Sequence, residues 1–152
     1  LVSGIPCITK KISTLIGAII IVLATMLMGA IVSKSGSSLA CDIWPLCSND
    51  GVSIFQHNKI IHLSHRILAL ISVIFVFLIV NFFKDVVQYK IIFVLRNILI
   101  SLIILQILIG ATVIFTELNL FIAMLHQAIA VILFIVLSFL FWFTLQSNFK
   151  RN

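Results

Sequence analysis

The chain has 152 residues, of which 62% are hydrophobic and only 9% are charged. Because a soluble domain carries roughly 25% charged residues, this composition excludes a soluble globular protein and indicates an integral membrane protein. The net charge of +6 does not indicate nucleic-acid binding, since the basic residues lie between apolar runs, where they usually set the orientation of a membrane protein.

Four apolar runs follow one another after a short polar leader at residues 1–11. They cover residues 12–32, 60–83, 91–115 and 120–145. Each run can cross a hydrocarbon core of ~30 Å as a helix that rises ~1.5 Å per residue. A signal peptide is the alternative for the first run, but that run is longer than a typical apolar region of ~7 to 15 residues. We therefore predict an all-α antiparallel bundle of four transmembrane helices that forms a single domain, residues 1–152.

Orientation follows from the basic residues. With the N-terminus inside, Lys10, Lys11, Lys84, Lys90, Lys150 and Arg151 are cytoplasmic, against Lys34 and Lys59 outside. This distribution satisfies the positive-inside rule. We therefore expect a multi-pass protein of the cell (inner) membrane, with both termini in the cytoplasm and the long polar loop at residues 33–59 on the outer face.

Two cysteines lie in this outer loop, in a compartment where disulfides form. Cys41 and Cys47 are separated by five residues and can close a small ring around a Trp-Pro pair. A metal site is the alternative, with His57 as a further ligand, although His57 is expected to be solvated. Cys7 falls on the reducing side and is expected to be a free thiol.

Histidines inside the apolar runs indicate a function. Ionisable side chains at membrane depth usually face a bundle interior and pair with a partner, ligand or metal. His65 lies five residues into the second run and His126 six residues into the fourth, and both runs enter from the outer face. Both imidazoles then lie ~8 to 9 Å below the outer boundary. They can ligate one haem iron from opposite faces. The alternative is that they hydrogen-bond to the backbone or to each other.

Other polar residues in the runs have two interpretations each. His62 lies three residues before His65 and so on nearly the same face, where it is either functional or merely interfacial. Arg66 marks either the lipid headgroup region or the position of a haem propionate. Gln106 and Gly110 have the polar-then-small spacing typical of close helix packing.

Four segments carry a resemblance to a known family. They are GAIVSKSGSSLACDIWPLC (29–47), HLSHRILA (62–69), LQILIGATVIF (105–115) and LHQAIAVILF (125–134). The most specific element is the cysteine-bracketed Trp-Pro-Leu-Cys loop followed by His-Arg in the next helix. Together these segments resemble the haem A synthase family, whose members usually have two similar four-helix halves. This chain resembles a single half.

The resemblance implies an enzyme that oxidises a methyl group of haem O to the formyl group of haem A for haem-copper oxidase assembly. His65 and His126 match the family's pair of histidines that ligate haem iron, with haem b as the implied cofactor, and Cys41 and Cys47 match its loop disulfide. Haem O is the implied substrate, and haem O synthase and haem-copper oxidase assembly proteins are the implied partners. Membrane lipid surrounds the helices, and no nucleic-acid partner is implied.

Two positions depart from the family pattern. The family usually has a Glu three residues before the second-helix histidine, whereas this chain has His62, which can act as an acid or base but lacks a carboxylate's charge. His62 is therefore the candidate catalytic residue. The basic residue before the Gly-Ser-Gly-like stretch is also out of register, with Ser33 near its place and Lys34 the nearest substitute.

The resemblance to a single half of a family member predicts that the chain associates with itself. One four-helix unit offers one histidine pair, whereas the family reaction uses a cofactor haem and a substrate haem, so we expect the chain to form a homo-oligomer. Two other functions stay open. One is a bis-histidine haem carrier or electron-transfer protein, which His62 in place of Glu favours. The other is a haem-free membrane assembly protein with structural histidines.

Overall fold

The computed structural model describes residues 5–41, 43–45, 47, 56–84 and 90–149, with side chains from residue 10 to residue 146. Regular structure in these ranges consists of α-helices, without a strand. The helices are α1 (Ile5–Lys34), α2 (His57–Phe82), α3 (Lys90–Phe115) and α4 (Leu120–Phe149). Each contains a stretch long and apolar enough to cross a membrane. The predicted all-α membrane bundle is confirmed, and the chain is a multi-pass membrane protein.

Three helices extend beyond the predicted apolar runs. α1 already begins at Ile5, α2 begins at His57, and α4 continues to Phe149. The leader and the last residues of the predicted outer loop are therefore partly helical. Hydropathy marks only the part of a helix that lies in hydrocarbon, whereas backbone hydrogen bonding can continue the helix into the interface. The segment between α2 and α3 lies largely outside the described residues, as does the Cys7 side chain.

The helices pack as neighbours in chain order. α1 packs most extensively on α2, and α3 on α4; α1 also contacts α4, while α2 touches α3 only slightly. Within the described residues α2 and α4 have no direct packing contact, so they lie diagonally across the bundle. A cofactor held between α2 and α4 would therefore occupy the centre of the bundle rather than a helix–helix seam.

Small residues on α1 set its register against α2. Along this seam Gly17 faces Phe75, the Thr25 hydroxyl lies 3.0 Å from that of Ser72, and Gly29 faces His65. As the contacts move towards the C-terminus of α1, their partners move towards the N-terminus of α2, which is the order expected for antiparallel helices. Small side chains let two membrane helices approach closely, so this seam holds His65 at a fixed height.

The apolar core is concentrated at the end of the bundle where α2 ends and α3 begins. It consists of Leu15, Ala18, Val22, Val76, Ile79, Phe83, Ile92, Leu95, Leu99, Leu133, Leu137 and Leu140. The opposite end contains the histidines of α2 and α4 instead. Close packing at one end therefore fixes the four helices, which then project polar side chains into the other end.

α1 ends in a glycine turn that directs the chain back over the bundle. Gly36 has a φ of 70°, and the Ser37 N–H donates to the Val32 carbonyl at 3.1 Å. This is the Schellman pattern, in which a left-handed residue lets an N–H close onto the last helical turn. Ser37 is thereby buried, next to the start of α2.

A tight turn at residues 116–119 joins α3 to α4. Glu117 and Leu118 both have positive φ, and the Leu118 N–H donates to the Val113 carbonyl at 3.0 Å. The Asn119 Oδ1 accepts hydrogen bonds from the backbone N–H groups of Phe121 (3.1 Å) and Ile122 (3.4 Å). Asn119 is therefore the N-cap of α4, seven residues before His126.

We expect Asn119→Ala to lower the free energy of unfolding in detergent by about 1 kcal/mol, because an N-cap side chain satisfies otherwise unpaired N–H groups. Asn97→Ala is the matched control, since Asn97 is exposed in the interior of α3. Denaturant titration of both variants measures the difference. An equal loss in the two variants would contradict a capping role.

Candidate functional site

His65 is oriented by the backbone of α1. Its Nδ1 lies 3.1 Å from the Thr25 carbonyl oxygen. A carbonyl can only accept, so Nδ1 carries the proton and Nε2 carries the lone pair. A side chain at Gly29 would place its Cβ 3.1 Å from the His65 Cε1. The glycine therefore lets the ring lie directly against α1.

His126 is held in a similar way by α3. Its Nε2 lies 3.3 Å from the Gln106 Nε2. A Cβ at Gly110 would come within 2.9 Å of the His126 Cε1, too close for ordinary contact. The ring therefore depends on the absence of a side chain at Gly110.

The two hairpins of the bundle repeat one arrangement. On α1 a polar residue, Thr25, stands four residues before Gly29, and on α3 Gln106 stands four residues before Gly110. In each hairpin the next helix presents its histidine to both residues. The sequence predicts only a packing role for Gln106 and Gly110 and does not single out Thr25 and Gly29 on α1. The repeated spacing on α1 and α3 was the signal that could have found them.

The structure brings the histidines of α2 and α4 together. His126 lies close enough to His65 to interact with it electrostatically, although their helices are diagonal. His62 lies within the same range of His65 and Arg66. His57, by contrast, is exposed at the start of α2. The sequence predicts this grouping from the similar positions of His65 and His126 along their helices, and ligation of one iron by the pair stays a prediction.

His62 is more deeply placed than an interfacial residue. It is only 4% exposed and forms a hydrogen bond with the backbone of Ser37. Its Nδ1 is buried, and no described group lies within hydrogen-bonding distance of it. Lys59, at the end of the predicted outer loop, is also only 4% exposed. The turn after α1 brings the chain back over this end of α2, which hydropathy alone does not reveal.

Cys41 and Cys47 form the predicted disulfide, with their Cα atoms 4.5 Å apart. Cys41 is fully buried. The disulfide uses both thiols, so neither is left as a ligand for the alternative metal site. It closes a small ring at the end of the bundle where α1 ends and α2 begins.

Arg66 fastens this ring to α2. Its Nη1 donates to the carbonyls of Ile43 (2.9 Å) and Pro45 (3.1 Å), and its Nη2 donates to the carbonyl of Cys41 (2.9 Å). A guanidinium suits this task because its donors point in fixed directions within one plane. The residue next to His65 thus connects the disulfide loop to the histidine site.

The donor set suits a haem. Paired imidazoles on facing helices of a bundle are a common way to hold haem iron, and a ligating imidazole usually donates its other N–H to a carbonyl, as His65 does. His126 Nδ1 and Gln106 Oε1 are buried polar atoms without a hydrogen-bond partner in the described part of the chain. Buried polar groups are rarely left unpaired, so these two atoms leave the Gln106–His126 contact incompletely satisfied.

Comparisons with known proteins agree with this geometry. Residues 8–138 match the model of a family described as "Cytochrome oxidase assembly protein". The relatives include proteins named "Heme A synthase" from Staphylococcus carnosus and Geobacillus thermodenitrificans. The first is 40% identical over 121 residues, covering 79% of this chain and 39% of the relative. The second is 32% identical over 133 residues, covering 87% of this chain and 42% of the relative.

A third relative gives a similar result. The "Heme A synthase" of Oceanobacillus iheyensis is 36% identical over 117 residues, which cover 73% of this chain and 37% of the relative. The chain thus spans less than half the length of these curated relatives. The matched residues include α2 and α3 and most of α1 and α4. The chain therefore belongs to the cytochrome oxidase assembly protein family.

Proposed function

We propose that the chain is a half-size haem A synthase of the cell (inner) membrane. It oxidises a methyl group of haem O to the formyl group of haem A, for assembly of haem-copper oxidases. The observation that carries this proposal is the pairing of His65 and His126 on diagonal helices, each seated on a glycine. Relatives named "Heme A synthase" support the choice of reaction.

His65 and His126 would hold the iron of a haem b cofactor. A haem bound there supplies a redox-active iron to the otherwise redox-inert helices. The chain's own contribution is orientation, since the Thr25 carbonyl fixes the His65 tautomer and Gly29 fixes the position of its ring. Ligands held in this way need little reorganisation on binding.

The outer loop would close the site on one side. The disulfide ring and Arg66 hold the loop carbonyls over α2, one residue from His65. Arg66 could also meet a haem propionate, but its contacts with Ile43 and Cys41 already give it a role in holding the loop. We therefore propose loop attachment as its first function and propionate binding as a secondary one.

His62 is the proposed acid–base residue. Its buried Nδ1 has no hydrogen-bond partner among the described residues, so it is available to exchange a proton with a bound molecule. The hydrogen bond with the Ser37 backbone keeps the ring oriented. This proton exchange uses His62 of one chain only. In a homo-oligomer, the second copy of the chain would supply the second haem site.

A bis-histidine haem carrier is the second candidate. It is favoured by His62, which is held by the Ser37 backbone in a position where the family usually has Glu. In that case the histidine pair would bind haem for transfer or electron exchange without oxidising it. The two candidates differ in whether haem O is converted.

The test is expression in cells that make haem O but lack another haem A synthase, followed by haem extraction, chromatography and mass spectrometry. We expect haem A with the wild type, and at least about 100-fold less with His62→Ala, because positioned acid–base groups contribute roughly 10²–10⁴-fold. Total haem retention should be unchanged in that variant. His57→Ala is the matched control, because His57 is an exposed imidazole on the same helix.

Each other outcome selects a different function. Wild-type protein that retains haem O or haem b without forming haem A would be a carrier or electron-transfer protein. Folded wild-type protein that retains no haem would be a haem-free assembly protein.

A further inference from the structure

We propose that Gln106 is a positioning residue that engages the iron-binding nitrogen of His126, so that His126 is the exchangeable axial ligand and His65 the permanent one. This inference rests on the proposed haem site. It assigns different tasks to the two histidines, which the sequence treats alike.

The asymmetry begins with the nitrogen that each histidine uses in its hydrogen bond. His65 uses Nδ1, which donates to the Thr25 carbonyl at 3.1 Å. No hydrogen bond to its Nε2 is formed by the described residues. The lone pair of that nitrogen is therefore available to a metal without rearrangement of the side chain.

His126 uses the other nitrogen. Its Nε2 lies 3.3 Å from the Gln106 amide nitrogen, which can only donate, so the lone pair of Nε2 accepts this bond. If the Gln106 amide is turned over, its oxygen accepts a proton from Nε2 instead. In both orientations Nε2 forms a hydrogen bond with Gln106, so Nε2 can bind iron only after that hydrogen bond breaks.

The remaining nitrogen of His126 offers no alternative. A Cβ on Gly110 would lie at similar distances from Nδ1 (3.5 Å) and Nε2 (3.7 Å), so the Cε1 edge of the ring lies against α3. Nδ1 is fully buried and has no hydrogen-bond partner among the described residues, so an iron has no open approach to it. Ligation by His126 therefore requires the Gln106 contact to break.

The contact is weak enough to break. At 3.3 Å it is longer than the usual N–H hydrogen bond of ~2.9–3.0 Å. It also leaves His126 Nδ1 and Gln106 Oε1 buried without partners among the described residues. Buried unpaired groups are unfavourable, so this arrangement is held by little free energy. Iron and Gln106 then compete for one lone pair.

The consequence is a haem with one firm and one labile ligand. His65 holds the iron continuously, while His126 exchanges between the iron and Gln106. A haem held in this way would be accessible for part of the time to a small neutral ligand. Carbon monoxide is a suitable probe for it, because it binds ferrous haem only where an axial position is free.

The experiment compares wild type with Gln106→Met after loading with haem b. Methionine has a similar length to glutamine but cannot donate to the imidazole. Gln127→Met is the matched control, since Gln127 is an exposed amide next to His126 on α4. The absorption spectrum reports the fraction of high-spin haem, and titration of the ferrous protein gives the carbon monoxide affinity.

We expect wild type to contain a high-spin fraction that Gln106→Met converts to low-spin. The carbon monoxide affinity should fall about fivefold in Gln106→Met, because a net hydrogen bond of ~1 kcal/mol corresponds to roughly that factor. Gln127→Met should match wild type. Wild-type spectra and affinity in Gln106→Met would overturn the inference, as would a larger high-spin fraction.

A haem-free readout separates this inference from the proposed function. In haem-free protein with ¹⁵N-labelled histidine, the His126 ring signals should change in Gln106→Met and stay unchanged in Gln127→Met. Unchanged signals in Gln106→Met would overturn the inference alone. Changed signals together with no haem binding by wild type would support the Gln106 contact but overturn the proposed haem site.

Discussion

Replacing His65 with alanine is expected to reduce haem affinity by more than about 100-fold. Loss of groups that merely support a metal ligand costs roughly 10–100-fold, so loss of the ligand itself should cost more. His65 is the better prepared of the two histidines, because its Nδ1 donates to the Thr25 carbonyl and its Nε2 is left for iron. The measurement is titration of haem-free protein with haem b, read by absorption.

His126→Ala should have a smaller effect, of about tenfold, because only the exchangeable ligand is lost and that ligand must first leave Gln106. Its spectrum should be that of high-spin haem. His57→Ala should bind as wild type does, since this imidazole is exposed and apart from the site. Equal losses in the two single variants would contradict the division of roles. Wild-type binding by a variant lacking both histidines would exclude them as ligands.

Filling the glycine positions should have the second largest effect. Gly29→Leu and Gly110→Leu introduce side chains where even a Cβ would lie 3.1 Å and 2.9 Å from an imidazole. The rings must then move away from the helices that position them. We expect haem affinity to fall by about 10–100-fold for Gly29→Leu, the range found when support of a metal ligand is lost. Gly110→Leu should mainly raise the high-spin fraction.

Two exposed alanines provide matched controls for these variants. Ala30 is adjacent to Gly29 on α1, and Ala128 lies on α4 near His126; both are exposed. Ala30→Leu and Ala128→Leu should leave haem binding unchanged. Since leucine favours helix more than glycine does, the glycine variants should remain folded, which circular dichroism checks. Normal haem binding by folded Gly29→Leu would show that close approach of His65 to α1 is unimportant.

Arg66 connects the loop between α1 and α2 to the histidine site. Arg66 directly follows His65 in the sequence, and its guanidinium donates hydrogen bonds to carbonyls of the disulfide ring. A change in the loop can therefore alter the position of α2 near its iron-binding residue. This arrangement gives a physical reason for a disulfide ring, a guanidinium and a histidine to occur in one segment of sequence.

The sequence by itself determined the membrane class and the four spans. These features depend on local hydropathy and on the constant rise of a helix, which do not require knowledge of neighbouring helices. The Cys41–Cys47 ring could also be predicted, because it closes over a short separation along the chain. The choice of haem chemistry came from the family resemblance, not from these patterns.

Only the tertiary structure decided what touches the histidines. Thr25 and His65 are 40 residues apart in sequence, and Gln106 and His126 are 20 apart. Spacing along a helix indicates on which face of that helix a residue lies. It does not indicate the height at which a neighbouring helix packs against that residue. That height comes from the glycine contacts and from the apolar core at the other end of the bundle. For the same reason the burial of His62 under the turn after α1 could not be read from hydropathy, since it depends on where a separate segment of the chain folds back.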